Sequence, residues 1–383
     1  MGQILEQCCK KGEKNQEKSS VALSIQSQEE PIEITEELIQ KLKQQLDDVK
    51  KKLGDFEVQN TFNITQNDVW PIKLLGRGSF GKVYLVKIKD KLYAMKQIKK
   101  KLILKKQQLE NLLYERFILQ KYDHPFIIKM YFVFQEPLFI NMVMEFVQGG
   151  ELFYHLNKRK KFDQKTTAFY ASQLVLALEF LHETVRVAYR DLKPENVLLC
   201  RDGYIKLADM GLAKDNSELN YSFCGTAEYL APEMIEEKGH NASVDFWTLG
   251  CIIFEMLFGH PPFQDENKKN LYIKIQTGEF KFPPTASSSA QSLIKGLLQY
   301  HPEERLSFKQ IKQHEFFQDI DFDLIYQKKL KPPFEPLLTT EKDTRNFDYV
   351  LESQMKQSEI PNIPQAQELF QDFPFLVKQQ IQL

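Results

Sequence analysis

The run Tyr189-Arg190-Asp191-Leu192-Lys193-Pro194-Glu195-Asn196, followed by Asp209-Met210-Gly211 and then Ala231-Pro232-Glu233, decides how the rest of the chain is read. Transfer of a phosphoryl group needs a carboxylate beside the attacking hydroxyl, a cation near the group in flight, and oxygen ligands for Mg2+. Asp191, Lys193 and the pair Asn196 with Asp209 supply these in that order. A loop carrying such charges by accident is the alternative, and it loses ground once the upstream residues are added.

Working outward, Gly76-Arg77-Gly78-Ser79-Phe80-Gly81 is a weak signal taken alone, because glycines also mark ordinary tight turns. Its flanks, Ile72 to Leu75 and Lys82 to Val86, are strand-like, which makes a strand–loop–strand. A dinucleotide-binding fold would place a helix after the glycines. Without a Cβ, backbone N–H groups can come close to phosphate oxygens. Lys96 follows in the next strand among Tyr93, Ala94, Met95 and Ile98, where an ammonium needs a partner that Glu115 can supply. A solvated lysine is the plainer reading of that position by itself.

Strand-like stretches run over Ile72–Leu75, Val83–Ile88, Leu92–Ile98 and Met142–Phe146, interrupted by a helical stretch from Gln107 to Tyr122. After Gly149-Gly150 the pattern turns helical, with apolar residues on a 3.6-residue period over Thr166–His182 and Val244–Phe258. Strands early and helices late predict an α+β, bilobal fold with a cleft between a small mainly-β lobe (68–147), holding one key helix, and a large mainly-α lobe (148–317). From 318 to 383, Pro-containing loops and isolated aromatics predict a tail lying on a surface. Residues 1–34, rich in Lys, Gln, Glu and Ser, predict a disordered arm, and 35–67 a helix and linker. Thr35 can cap that helix, with Glu36 and Glu37 in its first turn and Leu38, Leu42, Leu46, Val49 and Leu53 along one face. About two and a half heptads would make a marginal coiled coil, so both a helix packed on its own domain and a dimerising segment stay open. No internal repeat is present.

The 383 residues fit a catalytic domain of about 250 residues with appendages. A formal charge of −1 removes the electrostatic case for a nucleic-acid partner. Five scattered cysteines (Cys8, Cys9, Cys200, Cys224, Cys251) show neither a disulfide framework nor a zinc spacing. No apolar run approaches the roughly 18 residues needed to cross a bilayer, and the N-terminus has no signal-peptide core. A reduced, cytoplasmic protein, soluble or peripherally anchored, is expected.

These motifs together resemble a eukaryotic serine/threonine protein kinase of the AGC group (protein kinases A, B, C and relatives), over about residues 70–317 and on through the tail. The pattern is nearest to the protein kinase B and serum-and-glucocorticoid-induced kinase branch. The resemblance implies ATP and Mg2+ as cofactors and protein serine or threonine as substrate. It implies that Leu75, Gly76, Gly78, Ser79, Phe80, Gly81 and Val83 cover the nucleotide, with Lys96 on its α- and β-phosphates, paired to Glu115. Asp191 would take the substrate proton, Lys193 would stabilise charge on the γ-phosphate, and Asn196 and Asp209 would hold metal. Met142 falls at the gatekeeper, Glu145 to Val147 at the hinge, and Arg305 pairs in the family with the glutamate that is here Glu233. Asp245-Phe246-Trp247 matches a structural element of the large lobe.

By the same resemblance, Ser222 stands at the activation-segment phosphorylation site for an upstream kinase, where a phosphate would meet Arg190. Glu151, Glu195 and Glu255 match carboxylates that receive arginines N-terminal to the target residue, and Glu151 also borders the nucleotide. Phe370, Phe373 and Phe375 resemble the hydrophobic motif, with Pro374 where most relatives carry Ser or Thr. Tyr189 in place of histidine is typical of the group, whereas Met210 replaces the usual phenylalanine with another packing side chain. Gly2, Cys8 and Cys9 suggest dual acylation and membrane association, although Glu6 departs from that motif. The residues before 68 leave no room for a lipid-binding domain, so lipid second messengers are not expected. The competing class is a catalytically impaired pseudokinase scaffold, with Met210 its motif-level support; a small-molecule or lipid kinase is disfavoured by Ala231-Pro232-Glu233 and the tail.

Overall fold

The computed structural model describes residues 35–53, 68–78, 81–105, 108–217, 219–221, 225–347, 368–371 and 375–376. The arm 1–34 with Gly2, Cys8 and Cys9, and also Ser79, Phe80, Ser222 and Phe373, lie outside the described residues.

Five strands build the small lobe: β1 (Val69–Arg77), β2 (Gly81–Ile88), β3 (Lys91–Lys99), β4 (Met130–Gln135) and β5 (Phe139–Glu145). They form an antiparallel sheet in the order β1-β2-β3-β5-β4, and a two-residue strand from the tail, β10 (Phe375–Leu376), pairs with the outer edge of β4. Sequence analysis leaves β4 unassigned because its apolar residues follow Phe126-Ile127-Ile128 without a turn signal. Pairing with β5 is what makes Met130–Gln135 a strand. Among the described residues three helices accompany the sheet: α1 (Glu36–Leu53), α2 (Lys100–Lys105) and α3 (Leu109–Lys121). Helix α3 is buried on most sides, Glu115 included, which is why it carries no clear amphipathic stripe.

Helix α1 starts as its sequence predicts: the Leu38 N–H donates to Thr35 Oγ1 at 3.3 Å, with Glu36 and Glu37 in the first turn. Ile39, Leu42, Leu46 and Val49 are buried, and the helix packs on α3. The apolar face is therefore spent within the chain, and the self-packed reading of this helix is the observed one. Each such side chain contributes about 1.5–3 kcal/mol of apolar transfer when fully buried.

The large lobe is organised around two helices, α5 (Gln164–Glu179) and α7 (Ser243–Phe258), preceded by α4 (Leu152–Arg159) and α6 (Pro232–Ile235). Asp163 caps α5 by accepting from the Thr166 N–H at 2.7 Å, and Gly259 ends α7 in the left-handed conformation (φ 84°). Two short two-stranded sheets, β6 (Val187–Ala188) with β9 (Lys214–Asp215) and β7 (Val197–Leu199) with β8 (Ile205–Leu207), carry the charged loops to the cleft. Arg305, wholly buried, forks onto both oxygens of Glu233 at 2.6 and 2.7 Å and lies over the Trp247 ring. Over residues 318–347 the chain follows the surface: Tyr204 donates to the Leu330 carbonyl, Arg159 stacks on Phe334, and Lys73 reaches Thr344 at 2.8 Å.

A lysine cannot reproduce the planar fork of Arg305. Arg305→Lys should lower the free energy of unfolding by about 3 kcal/mol, read from urea titration, because Glu233 would keep a buried oxygen unmatched.

Candidate active site

Lys96 lies in the middle of β3, opposite Val83 of β2 and Met142 of β5. Its ammonium donates to Glu115 Oε1 (2.8 Å) and Oε2 (3.1 Å) and to Asp209 Oδ1 (2.9 Å). One cation thus joins the sheet, helix α3 and the loop after β8. Burial alone would lower the lysine, but Asp209 and Glu115 outweigh it and raise Lys96 above the ordinary lysine value. Lys96 in turn holds Asp209 below its ordinary range, while burial raises Glu115 against the pull of the lysine. Asp209 adopts a left-handed backbone (φ 58°) and accepts from the Gly211 N–H at 3.1 Å. A Cβ on Gly211 would stand 2.9 Å from Asp209 Oδ1, so this glycine is what lets the amide approach the carboxylate.

The loop of Asp191 is held from beneath by Asp245, wholly buried in α7. Its carboxylate accepts from the backbone N–H groups of Tyr189 and Arg190 (both 2.8 Å) and from His182 Nε2 (2.7 Å). These bonds pin Arg190 at φ 64°, a backbone costly for a side chain of that size. On the cleft side, Lys193 donates to both oxygens of Asp191 (2.9 and 2.8 Å), and Asn196 Nδ2 donates to the Asp191 carbonyl and Oδ2 (both 2.8 Å). Burial raises Asp191 above the usual aspartate value, with Lys193 and Asn196 opposing.

The roof over this floor is a small apolar cluster of Leu75, Leu85 and Ala94, with Val83, Phe146 and the tail residue Phe347 against it. Phe347 stacks on Phe146 with ring centroids 5.8 Å apart. Met142 and Val147 are buried where the lobes join. Between them, Glu145 accepts from the Lys129 N–H (2.7 Å) and from Lys206 (2.6 Å). A Cβ on Gly76 or Gly78 would meet nothing within 4 Å, whereas one on Gly81 would run into the Gln97 carbonyl. The first two glycines therefore face open space, and the third is needed to seat β2 on β3.

A family model described as the protein kinase domain matches residues 71–317. The chain belongs to the protein kinase family. It is 42% identical over 350 residues to the serine/threonine-protein kinase SCH9 of Saccharomyces cerevisiae, covering 84% of this chain and 42% of that one. It is 41% identical over 327 residues to SCH9 of Candida albicans, covering 80% and 41%. To the serine/threonine-protein kinase gad8 of Schizosaccharomyces pombe it is 42% identical over 309 residues, covering 77% and 54%. The chain thus spans about half or less of the length of these curated relatives. Within the protein kinases it falls in the AGC group, and the bilobal expectation matches the observed fold.

Set in the kinase fold, Lys96, Glu115, Asp191, Lys193, Asn196 and Asp209 converge on one cleft. Met210 is fully buried, packing where the sequence expects an apolar filler. Glu151 and Glu195 are exposed. Glu255 instead accepts from the Tyr229 hydroxyl at 2.6 Å, and burial raises its carboxyl. Glu195, Glu228, Asp265 and Glu266 border a groove of about 590 Å3 beside them. Phe370 is wholly buried, and Phe375 contributes to β10. Reading the sequence does not single out Lys206; only long-range contact gives it a role, and no local pattern marks it.

The donor set suits magnesium carried on a nucleotide: Asn196 and Asp209 offer hard oxygens, and Mg2+ needs only one or two protein oxygens beside phosphates and water. Among the described residues no three His, Cys, Asp or Glu side chains cluster to hold a metal by themselves. Gly211→Ala should displace Asp209 from Lys96, weakening MgATP binding by about tenfold to a hundredfold in titration calorimetry. Its thermal midpoint should stay within about 4 °C of the parent, since no core packing is lost.

Proposed function

We propose that this protein is an ATP-dependent serine/threonine protein kinase of signal transduction that prefers basic residues N-terminal to its target. The observation that carries the reading is Lys96 shared between Glu115 and Asp209 across the cleft from Asp191. Bound MgATP supplies the transferable phosphoryl group and the divalent charge that screens it. Lys96, kept fully protonated by its two carboxylates, presents a fixed cation to phosphate oxygens. Asn196 and Asp209 are the oxygen donors for metal. Asp191 orients the incoming hydroxyl and accepts its proton at a carboxylate oxygen, and Lys193 beside it offers positive charge to the group in transfer. Leu75, Val83, Met142 and Val147 exclude water from the adenine side. Nothing favours the scaffold reading, because Lys96, Asp191 and Asp209 are all present and Met210 packs.

Exposed Glu151 and Glu195, with the acidic groove beside them, support a preference for arginine, whose fork matches a carboxylate. Glu255 joins them by exchanging its Tyr229 hydrogen bond for a guanidinium. Phosphorylation of Ser222 by an upstream kinase would add charge for Arg190 to pair with, as the resemblance implies; Arg190 Nε donates to the Leu212 carbonyl. A cytoplasmic location, with peripheral membrane contact through acylated Gly2, Cys8 or Cys9, completes the proposal; the mass of the intact N-terminus decides the acylation.

Radiolabelled ATP with a peptide array should show transfer to Ser and Thr preceded by Arg, and Asp191→Asn should reduce it by about 10^3-fold. Transfer biased to acidic flanks would overturn the substrate assignment. Asp191 acts ionised and is raised by burial, so activity should fail, as pH drops, above the range of an ordinary aspartate. Lys193→Met removes a charge that lowers Asp191 and should move this acidic limb to still higher pH. Separately, Ser222→Ala should cut peptide phosphorylation by about tenfold or more in protein treated with an activating kinase; unchanged turnover would remove the switch.

A further inference from the structure

Helix α1 lies outside the stretch matched by the family model, and no chemical step above uses it. It is nevertheless one layer of packing away from the site. Leu42, Leu46 and Val49 of α1 share a single core with Leu109, Leu112 and Leu113 of α3, the helix that presents Glu115. Lys43, on the border of that face, donates to Glu368 at 2.7 Å across 325 positions of sequence. Glu368 opens the short turn 368–371, in which Leu369 and Phe370 are 2% and 0% exposed and belong to the same core. Lys100, at the start of α2, lies over the Phe370 ring (5.1 Å) and donates to Gln135 of β4 at 2.9 Å. The N-terminal helix and the tail therefore meet each other, the helix packs on α3, and the tail turn shares its core.

We propose that α1 is a built-in positioning element: with the tail anchor at Phe370 it holds α3 in the orientation that keeps Glu115 on Lys96, and Leu42 and Lys43 are its positioning residues. The inference rests on the kinase reading of the Lys96–Glu115 pair. A 13-residue helix is marginally stable alone, so its orientation is set by what packs on it. Without α1, the apolar side chains of α3 that share its core would face water, and the helix would turn to hide them. The 2.8 Å contact of Glu115 with Lys96 would be lost in that turn. Residues 359–383 contain no Ser, Thr or Tyr, so docking of this stretch is not strengthened by phosphorylation within it. The charge that ties Glu368 down comes from Lys43 instead, so the clamp is constitutive, carried by residues rather than by a modification.

The test uses the full chain and reads hydrogen exchange over residues 109–121 together with MgATP affinity. Leu42→Ala should speed exchange in α3 by about tenfold and weaken MgATP binding by about threefold or more. Lys43→Glu and Glu368→Lys should each give about twofold to fivefold faster exchange there. The double charge swap Lys43→Glu with Glu368→Lys should return to within about twofold of the parent. Faster exchange in residues 36–53 of Leu42→Ala with no change in 109–121 would overturn the proposal, as would a double swap no better than the single variants. If Leu42→Ala does not fold, the charge-swap series decides alone. Exchange in α3 needs no catalysis, so an inactive parent would sink the kinase reading without deciding this one.

Discussion

A single ammonium group, that of Lys96, is the point on which the two lobes agree. It belongs to the sheet, accepts restraint from Glu115 of α3, and reaches Asp209 of the large lobe within 2.9 Å. Removing a charge from water is costly, so a lysine so placed demands carboxylates around it. Satisfying that demand fixes where α3 and the Asp209 loop can sit. The geometry proposed to serve a triphosphate is thus also the geometry that makes the buried lysine tolerable.

Asp245 does the equivalent work under the catalytic loop. Backbone strain at Arg190 is retained because two amides and His182 converge on one buried carboxylate. The result is that Asp191, Lys193 and Asn196 face the cleft as one hydrogen-bonded unit. Preorganisation of this kind carries most of the burden in phosphoryl transfer, where the protein has little covalent chemistry to do. Helix α1 and the turn at Phe370 extend the same logic outward, since each element that orders α3 also orders Glu115.

Much of this was legible in residue types and order. Lys96 among apolar neighbours called for a carboxylate partner, and the glycines between two strand-like runs pointed to close backbone approach. The helix from Thr35 was visible from its cap and its apolar spacing, but whether that face met its own domain or a second copy was not. Strand β4 escaped notice because an uninterrupted apolar run has no period to read. Glu255 read either as a carboxylate for a substrate arginine or as one completing contacts within the large lobe, and the Tyr229 hydroxyl meets it at 2.6 Å.

The sequence by itself determined the two-lobed order of elements and the chemical kinds of group required, because periodicity and residue type are local properties. Only the tertiary structure decided which groups meet. The bonds of Lys96 to Asp209, of Asp245 to the Tyr189 and Arg190 amides, and of Lys43 to Glu368 join residues far apart in the chain. Such contacts answer to the cost of leaving a charge or an apolar face unpartnered in the folded whole, and no short window of sequence contains both partners.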